Sequence, residues 1–427
     1  MKLRVEKAIY GGSGLARAEG KAIFIPFTLP GEAVEAEIVS DNGGFASAEL
    51  RAVLEPSPDR AEPPCPYFGQ CGGCHYQHAA YATQVEIKVA ILRETLERAR
   101  IADIPTIKTI TAEPLSYRNR IRLHIEKNPF NLCYKFRKSH TNLPIDDCPI
   151  AAPILQRAIA TLNREGKSLN LTEYVTEIEL FTNSDESSLL ISLWTDRPAN
   201  AAKQILDEMS SSLRQMLPET LGIGIFAAER NRTTSKILAQ SGSDFLTYSS
   251  CDRRYRVSLG SFFQVNRFLI DHLVDLVTTG ERGSIAWDLY AGVGLFSLPL
   301  TERFAEVTAV ESSPSAVRDL RENLRNTKHR IVAADTAAFL RQDLQRRRPT
   351  PDFIVVDPPR AGLLREVTDV LAKIRPRKIT YVSCDPSTLS RDLAALVESG
   401  YRLRNVHLLD LFPQTYHLES ITHLALD

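Results

Sequence analysis

The sequence predicts an α/β protein: a parallel sheet with helices on both faces in its last third, preceded by a small OB-like β-barrel and a central α+β region. Three observations carry this expectation. Short apolar runs rich in β-branched residues alternate with helical segments beyond residue 280. Glycine-punctuated strands fill the first 55 residues. A chain of 427 residues is also too long for one ordinary core. The expected units are 1–58, 59–258 and 259–427.

In the first unit, strands are expected at Val5–Tyr10, Lys21–Pro26, Ala33–Val39 and Ala46–Leu54, with breaks at Gly11-Gly12 and Gly43-Gly44. About five short strands in that length suit an OB-type barrel. Pro56, Pro58, Pro63, Pro64 and Pro66 then mark a linker into a cysteine-rich segment. Gln84 to Arg100 has helical periodicity, with Val85, Val89, Ile91, Leu92 and Leu96 as its apolar stripe. Residues 115–258 mix strands and helices without one dominant pattern.

The last unit is expected to hold strands at Ile285–Tyr290, Val307–Val310, Ile331–Ala334, Phe353–Val356 and Ile379–Ser383. Helices are expected at Pro314–Arg325, Glu366–Ile374 and Pro386–Glu398, and a final strand at Ile421–Leu426. In such a sheet, ligands sit at the C-terminal ends of the strands.

Composition narrows the function classes. Lys and Arg balance Asp and Glu at 52 each, so any nucleic-acid site must be local. No apolar run reaches the roughly 18 residues that span a bilayer. The first residues lack the apolar stretch of an export signal. Seven cysteines, an odd number, do not form a secreted disulfide framework. A cytoplasmic monomer with no membrane partner is expected.

The chemistry begins at Asp288-Leu-Tyr-Ala-Gly292-Val-Gly294. Two glycines allow a tight turn and close backbone approach to a ligand. The third glycine of a dinucleotide fingerprint is missing, since Phe296 and Ser297 occupy its neighbourhood, which disfavours NAD. Adenosylmethionine carries no phosphate and needs only the close approach. Glu311 closes the second strand, where a carboxylate can accept ribose hydroxyls. Asp335, at the end of the third, is a weaker candidate for the adenine side.

Two later strands end in Asp357-Pro-Pro-Arg360 and Ser383-Cys384-Asp385-Pro386, and Glu419 precedes the final strand. Taken alone, Cys384 is a packing residue and Glu419 a surface acid. Together they suit carbon methylation of uracil, whose C5 is a poor nucleophile. Adding a thiolate to C6 makes C5 an enolate carbon, and a carboxylate can then remove its proton. A free thiol of pKa ~8.5 is only a few per cent ionised at neutral pH. Asp385 would lower that fraction, so activation is expected from a sulfonium charge or Arg360.

Residues 115–140 carry seven Lys or Arg against one Glu. Arg118, Arg120, Arg122 and His124 alternate with mostly apolar residues, which on a strand sets the basic side chains on one face. Tyr117, Phe130, Tyr134 and Phe136 are expected to stack on unpaired bases.

The set Gly260-Ser-Phe-Phe-Gln264-Val-Asn266, Asp288–Gly294, Asp357–Arg360, Ser383–Pro386 and His417-Leu-Glu419 resembles the RNA 5-methyluridine methyltransferase family. The resemblance implies a Rossmann-like class I methyltransferase sheet that takes S-adenosylmethionine. It implies that Gln264, Tyr290, Glu311 and Asp357 bind this cofactor, that Cys384 is the nucleophile and that Glu419 accepts the proton. Leu295 stands where some relatives carry an asparagine at the cofactor, a departure that removes one hydrogen-bonding side chain. The first unit resembles a TRAM domain, an OB-like RNA-binding module.

Cys65, Cys71 and Cys74 flank a double glycine and can converge on one metal, with Cys148 as the fourth ligand. Spacing alone accommodates zinc or an iron–sulfur centre; the resemblance implies [4Fe–4S]. Relatives with this layout commonly act on 23S ribosomal RNA and some on transfer RNA, so structured RNA is the expected partner, 23S first. Three other readings are weaker. Cytosine-5 methylation wants a cysteine where Asp357-Pro-Pro stands, an RNA-binding protein with a vestigial site would not keep Cys384 and Glu419, and an electron carrier leaves the cofactor crevice unexplained.

Overall fold

The computed structural model describes residues 1–169, 171–228, 236–346 and 349–426. Strands β1 (Lys2–Ile9), β2 (Ser13–Ala18), β3 (Lys21–Pro26), β4 (Ala33–Asp41) and β5 (Phe45–Glu55) close into a barrel in the order β1-β2-β3-β5-β4. Alternate residues, among them Val5, Ala16, Ile23, Ile25, Val34 and Ala46, fill its interior. Strand β2 is not among those expected, because Ser-Gly-Leu-Ala lacks β-branched residues. Its small side chains answer to close packing: a Cβ on Gly14 would lie 2.2 Å from Thr28 Oγ1. Fully buried Glu32 accepts from Leu29 N and pairs with Arg60 at 2.6 Å, fastening the proline-rich linker to the barrel.

Helix α1 (Tyr81–Arg98) follows, then strand β6 (Ile107–Ile110). The central sheet comprises β7 (Arg120–Glu126), β8 (Asn131–Lys135), β9 (Asn142–Pro144), β10 (Glu177–Thr182), β11 (Leu189–Thr195), β12 (Thr220–Ala227) and β13 (Ile237–Gly242). Its order is β13-β12-β11-β10-β7-β8-β9, and the helices Pro153–Glu165 and Ala202–Met216 bury their apolar stripes in its core. A hairpin, β14 (Phe245–Ser250) and β15 (Arg253–Ser258), leads into the last sheet.

That sheet contains β16 (Gly283–Leu289), β17 (Phe304–Glu311), β18 (His329–Ala333), β19 (Phe353–Val356), β20 (Lys378–Ser383), β21 (Tyr401–Leu409) and β22 (Glu419–Leu426). Its order is β18-β17-β16-β19-β20-β22-β21-β6. From β18 to β20 neighbouring strands are parallel, as expected, while β22 enters antiparallel between β20 and β21. The chain reverses its direction of winding between β16 and β19, which opens a crevice at their C-terminal ends.

One stretch lies elsewhere than the sequence suggested. Although 81–110 was expected with the central unit, β6 pairs with β21, and α1 buries Ile87, Ile91, Leu92 and Leu96 in the core of the last sheet. The partner of β6 lies some 300 residues away in sequence, beyond the reach of local periodicity. Among the described residues, no helix is long and apolar enough to cross a membrane.

Candidate active site

Beyond β16 the chain turns sharply through Tyr290 (φ +69°), Gly292 (φ +56°) and Gly294 (φ +92°). A Cβ added at Gly292 would meet nothing within 4 Å, so its face toward the crevice is open; one at Gly294 would strike Leu320 at 2.7 Å. Glu311, ending β17, accepts Gly292 N (2.8 Å) on one oxygen and Ser312 N and Ser313 N (2.8 and 2.7 Å) on the other. It therefore ties the loop to the start of helix Pro314–Leu324, with lone pairs left for hydroxyl donors. Asp335 is exposed and caps the helix Thr336–Arg346 through Ala337 N and Ala338 N.

Under this loop, buried Asp288 accepts from Ser297 Oγ, while its Oδ1 finds no partner among the described residues. Burial pushes its carboxyl up to about 7. Asp357, ending β19, is also pushed up to about 7, first by burial and then by Asp288. Gln264 Nε2 stands 3.5 Å from Asp357 Oδ2. The loop 260–266 is anchored on two sides. Asp319 accepts from Ser258 N and Ser261 Oγ, and Asn119 Nδ2 holds Gln264 O at 3.0 Å. An open cradle, an orphaned carboxylate oxygen and a ring of acceptors fit a cationic nucleoside without phosphates.

The register of β20 and β22 pairs Ser383 with Ser420, which carries Cys384 and Glu419 to adjoining positions just beyond that rung. Cys384 is half-buried and Glu419 is 4% exposed. Burial, then Glu419 and Asp357, push the Cys384 thiol up to about 12, while Arg360 works the other way. Burial and Asp357 hold the Glu419 carboxyl well above its ordinary range, again with Arg360 opposing. Gln264, Asp357, Cys384 and Glu419 thus cluster at the crevice end of the sheet, with Tyr290 and Glu311 on the neighbouring strand ends.

Asp385 behaves otherwise than expected. Its carboxylate caps the helix Pro386–Glu398, accepting Ser387 N (2.9 Å) and Thr388 N (3.0 Å), and it takes the Tyr10 hydroxyl at 3.2 Å. The acids that hold back the thiol are Glu419 and Asp357, which the topology brings in from other strands.

Cys65, Cys71, Cys74 and Cys148 line a separate cavity of about 330 Å³, together with Arg118, Arg122 and Tyr134. All four are free thiols. Among the described residues, no three His, Cys, Asp or Glu side chains stand close enough to hold a single ion. A tetrahedral zinc with Zn–S bonds of about 2.3 Å would draw four sulfurs into contact. The four thiols are the donor type that both zinc and iron–sulfur centres take.

The basic strand alternates as expected, but its face is covered. Arg120 lies 3.9 Å over the Phe181 ring and donates to Ser261 O at 2.7 Å. Arg122 lies 3.6 Å over Trp194 and pairs with Glu177. Tyr117 and Phe130 are core residues, so neither stacks on bases; Tyr134 and Phe136 line the cysteine cavity. The cause is the neighbouring strands β10 and β11, whose Glu177, Phe181 and Trp194 face these arginines. Sequence reasoning also missed Phe262, 66% exposed beside Gln264, although a Phe-Phe pair on a tight loop cannot bury both rings.

The chain matches the family model described as tRNA (uracil-5-)-methyltransferase over residues 80–426 and the TRAM domain over residues 1–50. It is 35% identical over 430 residues to an uncharacterized RNA methyltransferase of Aquifex aeolicus, covering 99% of this chain and 98% of that protein. It is 34% identical over 427 residues to the 23S rRNA (uracil(1939)-C(5))-methyltransferase RlmD of Salmonella choleraesuis, covering 96% and 92%. A solved structure of the Pyrococcus abyssi tRNA (uracil-54, C5)-methyltransferase with S-adenosyl-L-homocysteine aligns over 100% of both chains, with a TM-score of 0.77 at 24% identity. At that identity the likeness speaks for the fold.

Proposed function

The chain belongs to the tRNA (uracil-5-)-methyltransferase family, and on that premise we propose that it methylates C5 of a 23S rRNA uridine through a covalent Cys384 adduct. It is an RNA (uracil-5-)-methyltransferase dependent on adenosylmethionine. The observation that carries the assignment of residues is the meeting of Cys384 with Glu419 and Asp357 at the crevice end of β20, β22 and β19.

The Cys384 thiolate adds to C6, and the displaced π electrons move to an enolate spanning C5, C4 and O4. Gln264, Tyr290, Glu311 and Asp357 would hold adenosylmethionine, whose sulfonium would favour ionised acids around it and whose S–CH3 bond would break as C5 takes the methyl, leaving neutral S-adenosylhomocysteine. Glu419, ionised in that company, takes the C5 proton. Re-forming the C5–C6 double bond then expels the Cys384 thiolate. Exposed Phe262 offers a ring face to an unstacked base.

In this reading Cys65, Cys71, Cys74 and Cys148 would hold a [4Fe–4S] cluster. The thiol-lined cavity supports it, and four protein ligands leave no iron open for substrate, so its role is structural. The named relatives support 23S rRNA because the match to them runs nearly end to end.

RNA labelled with tritium at uridine C5 should release label only when protein and adenosylmethionine are both supplied. Mapping 5-methyluridine in cells with and without the gene should show loss at a 23S uridine. Loss at a transfer RNA uridine would overturn the choice of RNA, and loss at neither would overturn the activity.

A further inference from the structure

Glu419 is delivered to the crevice by residues 410–418, the connection from β21 to β22. The segment from His75 through α1 binds this connection. Asp410 forms an ion pair with Lys88 at 2.6 Å, with both side chains at most 1% exposed, and it also accepts from Tyr81 Oη at 3.0 Å. Lys88 Nζ reaches Phe412 O as well, at 2.9 Å. Farther along, buried Gln414 sits in the left-handed region (φ +67°). Its carbonyl accepts His75 N and Tyr76 N at 2.8 and 3.0 Å. Its own N–H donates to Gln84 Oε1, and its Oε1 accepts from Gln84 Nε2, both at 3.0 Å.

A non-glycine residue persists in that backbone region only when its surroundings over-determine it. Here the determining partners come from His75, Tyr76 and Gln84, and His75 is bonded directly to Cys74 of the thiol-lined cavity. We propose that Gln84 and Gln414 form a latch by which the cysteine segment positions the base Glu419. This rests on Glu419 being the base. Cys384 stands on β20, outside the latch, so opening the latch leaves thiolate addition and methyl uptake in place and slows proton removal. A displacement of about 1 Å at a reacting group costs about 100-fold in rate.

The test uses the full-length protein with C5-tritiated RNA and compares wild type with Gln84→Met, Gln414→Asn and Glu419→Gln. Methionine keeps the volume of Gln84 without its hydrogen bonds, and asparagine tolerates the left-handed backbone while being too short for the amide pair. Both latch variants should release tritium about 100-fold more slowly, accumulate covalent protein–RNA adduct as Glu419→Gln does, and keep the wild-type KM for adenosylmethionine. Wild-type release by both variants would overturn the latch. So would loss of release without adduct, since that result would put the amides in service of the fold and not of the base. Free turnover by Glu419→Gln would instead overturn the reading of the base, a failure visible independently of the latch variants.

Discussion

Two groups of thiols in this molecule share a degree of burial and differ in their company. Burial pushes Cys384 up to about 12, and it pushes Cys71 and Cys74 up to about 11 and about 12. Beside Cys384 stand two carboxylates, Glu419 and Asp357, and an exposed Arg360. Beside Cys74 and Cys148 stands Arg118, which draws both thiols down and whose buried Nε has no partner among the described residues. A thiol among acids stays protonated until a cation arrives, and once ionised it is a strong nucleophile, because nucleophilicity rises with pKa. In the second group Arg118 opposes the mutual repulsion of the thiols, whereas burial, Asp147 and the neighbouring sulfurs push the other way. On the proposed reading, the contrast is between a sulfur that would react and sulfurs that would hold a bound group.

The largest expected effect removes the reacting sulfur. Cys384→Ala should abolish both tritium release and adduct formation, and any release above background would remove the distinction between the two groups. Next, Glu419→Gln should slow turnover by about 10²- to 10⁴-fold, the usual contribution of a general base, with adduct visible on a denaturing gel.

Lys88→Met gives the scale for an unpaired ion in this interior. It should cost about 3–5 kcal/mol in urea unfolding, the usual result of breaking a buried pair. A cost below 1 kcal/mol, about that of an exposed pair, would show that Asp410 is readily hydrated. A smaller effect sharpens the electrostatic argument. Because Glu419 raises the Cys384 thiol, Glu419→Gln should move the midpoint of Cys384 alkylation by iodoacetamide to lower pH. An unchanged midpoint would leave burial alone as the cause. The smallest is Tyr10→Phe, which removes one hydrogen bond to Asp385 and should cost about 0.5–1.5 kcal/mol in thermal or urea unfolding.

What the sequence made legible follows chain distance. Periodicity found the parallel strands β16 to β20, because each was a short apolar run ended by a turn. The proposed catalytic residues stood out as strand-end residues of unusual chemistry, and their order resembles that of a known family. The alternation along β7 was also legible, but what covers the arginines comes from β10 and β11, more than 50 residues on. The same distance hid the role of α1 and β6, whose partners lie at the far end of the last sheet. Asp385 misled for the opposite reason: its carboxylate is taken up locally, as the cap of the helix that follows Cys384.

The antiparallel entry of β22 between β20 and β21 bears on how the protein is made. Chains emerge from the ribosome N-terminus first. Once β21 has been synthesised, a nascent chain already carries the glycine loop, Asp357 and Cys384. It lacks Glu419, and β20 presents an open edge. On the proposed reading, one strand thus does two things: β22 fills the gap that would leave β20 as an open edge, and it brings in the base, Glu419.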